Sequence, residues 1–240
     1  MKMYTPVMGS RALACALICF AVMASALCFA AAAPALTGFP FTDEDLNYSI
    51  AWPGGANLGE AHLHAKHSGA DWNFTLTLDA GVPGFAVKDS YLSDAVTDLC
   101  SASFDRSISH GSHVSKEKQT IDRDRATATH TGSVDIPVPA CVRDALAYLF
   151  YSRREMGQGR VPAAQPILFG GLLDIRSDYV GAAMIPVNEK QEQSDKVTCT
   201  IKLKGGEYSF DVYYARDPAR TPLLITAPFA MGKFSMELIR

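Results

Sequence analysis

From Leu46 to Leu238, apolar side chains keep returning at every second position. Leu46, Tyr48, Ile50 and Trp52 share one face. Trp72, Phe74, Leu76 and Leu78 share another, with Asn73, Thr75, Thr77 and Asp79 opposite. Val197, Cys199, Ile201 and Leu203 repeat the pattern, as do Tyr208, Phe210, Val212 and Tyr214, and finally Phe234, Met236 and Leu238. Successive side chains of a strand point to opposite sides of the sheet, so a period of two with one polar face means half-buried antiparallel strands. Turn signals divide the runs: Pro53-Gly54-Gly55, Ser68-Gly69, Pro83-Gly84, His110-Gly111, Gly205-Gly206 and Asp217-Pro218. Gly205-Gly206, between two alternating runs, predicts a hairpin.

One segment breaks the alternation. After Pro137-Val138-Pro139, the apolar positions Val142, Ala145, Leu146 and Leu149 follow helical spacing. Asp144 near the start and Arg153 and Arg154 near the end suit the helix dipole. These features predict one substantial helix over about 140–153, followed by a loop over 157–166. The expected fold class is therefore mainly β: an antiparallel barrel or strongly curved open sheet, holding the helix against its concave face or end.

The first 35 residues read differently. Lys2 and Arg11 make a short basic start, residues 12–30 are apolar and uncharged, and Ala31-Ala32-Ala33-Pro34-Ala35 supplies small residues. That order is the build of a secretory signal peptide, with the cut expected before Leu36. The run is also about long enough for an uncleaved anchor, but its small-residue end favours cleavage. Leu27 before Cys28 fits a lipoprotein signal poorly. The expected product is one exported domain, residues 36–240, in the periplasm or secreted, with no transmembrane segment after cleavage. Two of the 22 basic residues and none of the 25 acidic ones lie in the leader, so this domain carries a net charge of −5. Mild acidity with no basic stripe argues against nucleic acid as a partner.

Cys100, Cys141 and Cys199 remain after the leader. An odd count in an oxidising compartment predicts one bridge and one thiol left over. Cys199 lies on the apolar parity of its strand, which leaves Cys100 and Cys141 near element ends as the expected pair.

The stretch Ala140-Cys141-Val142-Arg143-Asp144-Ala145-Leu146-Ala147-Tyr148-Leu149-Phe150-Tyr151-Ser152-Arg153 resembles the D-x-L-x-x-x-Y-x-x-R segment of the DUF3108 family, exported bacterial proteins of unknown function. Leu46 to Trp52 followed by Leu58-Gly59-Glu60-Ala61 is similar to that family's opening hairpin. Asp217-Pro218-Ala219-Arg220-Thr221-Pro222, then Gly232-Lys233-Phe234 and Glu237-Leu238, is similar to its ending. Tyr213-Tyr214-Ala215-Arg216 stands where the family often has a tryptophan. The resemblance implies an antiparallel β architecture and a cell-envelope location, and no reaction.

Candidate chemistry is sparse. His62 and His64 share a strand face with Glu60 and Lys66, which reads as a solvated face and not a metal site; His67 falls on the other parity or in the turn. His110 and His113 flank Gly111-Ser112, with Ser109 adjacent, but there is no G-x-S-x-G elbow and no H-E-x-x-H helix, so a hydrolase is the least favoured reading. Asp122-Arg123-Asp124-Arg125 reads as a solvated turn. No phosphate-binding or dinucleotide fingerprint is present, and no catalytic residue or cofactor is expected. The favoured expectation is a non-enzymatic domain that binds a lipid-like apolar or amphipathic molecule through Trp52, Trp72, Phe74, Tyr148, Arg153, Tyr208 and Phe210. The alternative is an assembly factor that docks an envelope protein through a strand edge.

Overall fold

The computed structural model describes residues 42–82, 84–96, 98–130, 135–229 and 232–239. The leader and its cleavage point lie outside the described residues. In chain order the elements are β1 (Glu44–Ala51), β2 (Asn57–Ser68), β3 (Asp71–Val82), β4 (Phe85–Ala95), β5 (Ser101–His110), β6 (His113–Asp122), β7 (Thr127–His130), β8 (Ile136–Pro137), β9 (Arg143–Asp144), α1 (Ala145–Gly157), β10 (Gln165–Leu168), β11 (Leu172–Val187), β12 (Lys190–Leu203), β13 (Gly206–Ala215), β14 (Pro222–Phe229) and β15 (Gly232–Ile239). Among the described residues, no helix is long and apolar enough to cross a membrane.

All the strands join one 15-stranded sheet, in the order β8-β7-β6-β5-β4-β3-β2-β1-β15-β14-β13-β12-β11-β10-β9. Every pairing is antiparallel except β9 with β10. Apart from β8 and β9, strands consecutive in sequence are neighbours in the sheet, and the last strand returns to pair with the first. The expected Gly205-Gly206 hairpin joins β12 to β13, with Leu203 opposite Gly206. Gly59 shows what the glycine of the opening hairpin does. Its φ is +150°, and a Cβ there would stand 2.1 Å from the Asp79 carbonyl oxygen of β3, so only glycine lets the two backbones approach.

The two end strands of the sheet, β8 and β9, are consecutive in the chain, and the link between them draws the ends together. Ser101 N–H of β5 donates to the Val142 carbonyl at 2.9 Å. Ile121 and Ala128 from one flank and Leu168 from the other bury Val138 and Val142 between them. Cys100 and Cys141 are bridged at this junction, with Cα atoms 4.8 Å apart. Leu99, just before the bridge, is fully buried at φ +60°. A non-glycine residue in that region is strained, and it is held there by core packing on one side and the cross-link on the other. Away from the junction the sheet stays open: β6 pairs with β7 only over Gln119–Asp122, and β11 pairs with β10 only over Leu172–Ile175.

The helix lies in the concavity. Leu146, Ala147 and Phe150 pack into the core with Tyr48, Leu63, Phe74, Leu223 and Leu238. Tyr148 and Met156 pack on the other side with Ile175, Val197, Cys199, Val212 and Tyr214. Burying a large apolar side chain is worth about 1.5–3 kcal/mol, and α1 buries such side chains toward two arcs of one sheet. This explains why its apolar spacing in sequence is weak: few of its faces meet water. The helix starts at Ala145, later than the expected 140, because Arg143 and Asp144 first pair with β10. Asp144 then caps it, accepting from Leu146 N–H at 2.8 Å and Ala147 N–H at 3.0 Å. The carboxylate also accepts from the Ser93 and Ser101 hydroxyls, both at 2.6 Å. Burial pushes this carboxyl above the ordinary range, and these four donors oppose that push.

At the other end of α1, Arg153 has no exposed side-chain surface. Its guanidinium grips Glu44 of β1 with two bonds, Nη1 to Oε2 at 2.7 Å and Nη2 to Oε1 at 2.9 Å. Its Nε donates to the Ala219 carbonyl at 3.0 Å, and its charge lies 4.9 Å from the Phe150 ring centroid. The Asp217–Pro222 turn is thereby part of the clamp. Asp217 closes it by accepting from Thr221 N–H and Oγ1. Pro222 offers its carbonyl to the Tyr48 hydroxyl at 3.0 Å. Arg220 joins Arg216 and the Tyr179 hydroxyl on Asp195 of β12. Burial alone would raise the Asp195 carboxyl, and those three donors together hold it below the usual range.

Two outcomes follow from this closure. Arg153→Ala leaves the half-buried Glu44 without its partner and is expected to cost about 3 kcal/mol in urea unfolding, whereas Glu44→Leu with Arg153→Met recovers most of it. Replacing Cys100 and Cys141 by serine frees a loop of sequence separation 41; the expected loss is about 4 kcal/mol, read as a lower urea midpoint with a somewhat steeper slope, because the unfolded chain expands once the cross-link is gone.

Candidate functional site

The helix fills one part of the concavity and leaves another part hollow. A cavity of about 510 Å³ lies among the ends of β1, β2, β3, β4, β5, β14 and β15. Its wall is apolar, with Ile50, Leu58, Leu78, Ile225 and Met236 prominent. Trp52 and Phe234 meet edge to face, ring centroids 4.9 Å apart. The turn between β3 and β4 puts Phe85 against Gly111 of the neighbouring hairpin, where an added Cβ would lie 3.1 Å from the Phe85 ring.

Asp89 and His110 are the ionisable groups of this wall. Asp89 shares its strand face with Val87 and Tyr91, so the pleat of β4 aims it inward, and it is only 9% exposed. His110 ends β5, opposite Val87 in the register. Its Nε2 lies 2.9 Å from Asp89 Oδ1 and 3.1 Å from Oδ2. The Tyr91 hydroxyl donates to Oδ2 at 3.1 Å. Burial first, then Asp89, pushes the Tyr91 hydroxyl well above its ordinary value, so it stays a donor. A carboxylate only accepts, so Nε2 carries the proton and Nδ1 is the nitrogen His110 can offer to another molecule. The imidazole is 39% exposed. Among the described residues, no serine hydroxyl is hydrogen-bonded to His110. Ser109 sits on the opposite parity of β5, and Ser112 lies in the turn.

Deeper in the concavity, Arg106 and Glu117 form a partly buried ion pair, with the Arg106 charge 5.0 Å from the Phe169 ring centroid. A larger depression, about 800 Å³, lies over the turn after β6 and is lined by Thr120, Asp122, Arg123, Asp124 and Thr129 among others. It is a charged surface feature: Asp122 pairs with Arg125, which is 78% exposed. The apolar cavity, enclosed by strands and holding an inward-facing polar pair, is the better candidate site.

Of the side chains expected from sequence to line a site, Trp52 does so. Trp72 and Phe74 are core: Trp72 meets the His67 ring at a tilt with centroids 4.7 Å apart, and the Phe74 ring centroid lies 4.0 Å from that of Phe150. Tyr148 is buried under the helix with its hydroxyl 2.8 Å from Ser177 Oγ, and burial pushes it up to about 12. Arg153 is the clamp described above. Tyr208 and Phe210 pair with each other at 6.4 Å on β13. His62 bonds Asn47 at 2.6 Å and His64 pairs with Asp45, both on an exposed face. Asp89 was not singled out in the sequence. The signal that could have found it is an acid on the inward parity of a strand, between Val87 and Tyr91.

These features define a class first: a barrel-like β protein with a helix-filled core and one hollow end. The crystal structure of a beta-barrel-like protein of the domain of unknown function DUF1849 from Brucella abortus is similar, with TM-score 0.62 at 8% identity, covering 83% of this chain and 97% of that one. That likeness is one of fold. The DUF3108 family model, a protein family of unknown function, matches residues 47–239, and the chain belongs to that family. No curated protein matches the sequence.

The third cysteine has its own expected outcome. Cys199 is buried, and burial pushes its thiol up to about 11. The thiolate is the reactive form, so iodoacetamide at mildly alkaline pH should leave Cys199 unlabelled in native protein and label it fully in denaturant. Equal labelling in both states would contradict the packing described.

Proposed function

We propose that this protein is an exported, non-enzymatic binding protein of the bacterial periplasm that holds an apolar or amphipathic small molecule in the hollow end of its barrel. The observation that carries the reading is the cavity itself: about 510 Å³ with an almost wholly apolar wall. That volume falls in the range of ligand pockets, about 300–1,000 Å³, and is far larger than the voids that ordinary core packing leaves. Two further observations support the location. The basic, apolar and small-residue order of the first 35 residues has the build of a leader. The Cys100–Cys141 bridge suits an oxidising compartment.

A second reading rests on a different observation. Beyond Ile175, β11 has a strand partner on one side only, and Tyr179, Val180 and Met184 there are 52%, 57% and 58% exposed. An edge of that kind suits docking of an envelope protein by strand addition.

Native mass spectrometry of protein purified from the periplasm tests the first reading, with an expected bound mass that is lost on denaturation. In solution, N-phenyl-1-naphthylamine should bind with enhanced fluorescence. Ala227→Trp, which fills the cavity from β14, should weaken that binding by about tenfold or more, equivalent to about 1.4 kcal/mol. A bare mass together with no dye binding removes the reading and leaves the edge of β11 as the functional surface.

A further inference from the structure

The cavity is not uniformly greasy, and its polar pair says what end of a ligand it would hold. We infer that the ligand is a single-chain amphipath whose head is a neutral hydroxyl, of the long-chain alcohol or monoacylglycerol class, with that head at His110 and its chain against Ile50, Leu78, Ile225 and Met236. This deepens the binding reading above and rests on it.

Three observations fix the chemistry. The first is size. A methylene occupies about the space of a water molecule, about 30 Å³, so a cavity of about 510 Å³ takes about seventeen heavy atoms. That is one alkyl chain with a small head; a second acyl chain would have to stay outside the cavity. The second is hydrogen bonding. With Nε2 committed to Asp89, neutral His110 presents Nδ1 as an acceptor, and a hydroxyl donates to it. An ester or ketone, which only accepts, leaves Nδ1 unpaired. The third is charge. Asp89 stands behind His110, and no lysine or arginine is among the described residues that line the cavity. The pair carries a net charge of minus one with neutral imidazole and zero with imidazolium. Neither state offers the positive charge that a buried fatty-acid carboxylate needs. An acid would therefore meet a carboxylate in an apolar setting, whereas an alcohol meets a partner.

The test uses displacement of N-phenyl-1-naphthylamine from the exported protein by two ligands of matched length, myristyl alcohol and myristate. The alcohol should displace the dye about tenfold more tightly than the acid. His110→Ala should weaken alcohol binding about fivefold, the worth of one hydrogen bond, and should change myristate binding much less. His110→Gln, which can both donate to Asp89 and accept from the ligand, should restore part of it. Asp89→Asn should narrow the gap between acid and alcohol. An unchanged circular-dichroism spectrum and urea midpoint in each variant show that the barrel still folds. If the dye binds but myristate matches or exceeds the alcohol, or if His110→Ala leaves both unchanged, the head-group assignment fails while the cavity reading stands. If the dye itself does not bind, the binding reading fails and this inference falls with it.

Discussion

The buried pair of Arg153 and Glu44 is the contact on which the architecture turns. A sheet this long has to curl onto something, and what it curls onto is a helix whose buried faces need partners on both sides. Arg153 ties that helix to β1, at the middle of the strand order. Through the Ala219 carbonyl it also ties it to the turn that leads into β14. An arginine fully removed from water is costly. Here the cost is offset by a two-pronged carboxylate, a carbonyl and an aromatic face, a set that only one docking of helix against sheet provides. The pair thus specifies position more than it adds stability. Asp144 does the equivalent at the opposite end of α1, where its carboxylate holds two strand serines and two helix amides together.

The family motif becomes intelligible in these terms. Its acid is the helix cap, its leucine is core, and its arginine is the clamp. Phe150 stands at the pattern's tyrosine position and stacks on Phe74. The D-x-x-R-x-P turn is the receiving half of the same device: Asp217 shapes it, Arg220 anchors it to Asp195, and its carbonyls receive Arg153 and Tyr48. Segments far apart in the chain are therefore one structural unit. A fold match at 8% identity shows that the curled sheet itself can be built from very different sequences.

The alternating runs that became β1, β3, β12, β13 and β15, several of the hairpin turns and the helix were legible from sequence because each is written in local periodicity, whereas β11, whose turn to β12 is Asn188-Glu189, carries no such signal. Cys100–Cys141 was legible by compartment and by the parity of Cys199. The helix boundary was not, because the competing pairing of Arg143 and Asp144 with β10 is a long-range event. Of the candidate cavity's wall, the sequence singles out Trp52 and, for a different chemistry, His110. Strand parity separates inside from outside, but it cannot say which inside positions meet the helix and which meet empty space. Trp72 and Phe74 face inward like Trp52, and α1 reaches them. A helix of 13 residues is about 20 Å long, and where it stops depends on the clamp at Arg153, not on anything local to β3. Asp89 escaped for the related reason that its partner His110 is 21 residues away.

A hollow end is a stability liability that a protein of this size can carry only if closure is secured elsewhere. Empty apolar space costs free energy in proportion to its volume. The division of the barrel fits that logic. The cross-link and the strained Leu99 secure the junction where the ends of the sheet meet, and the cap and clamp of α1 fix the helix in the filled part. The hollow part has the open hairpin turns, Phe85 at 49% exposure and a histidine reachable from outside. One half holds the shape, which leaves the other half free to keep an apolar surface with one polar foothold.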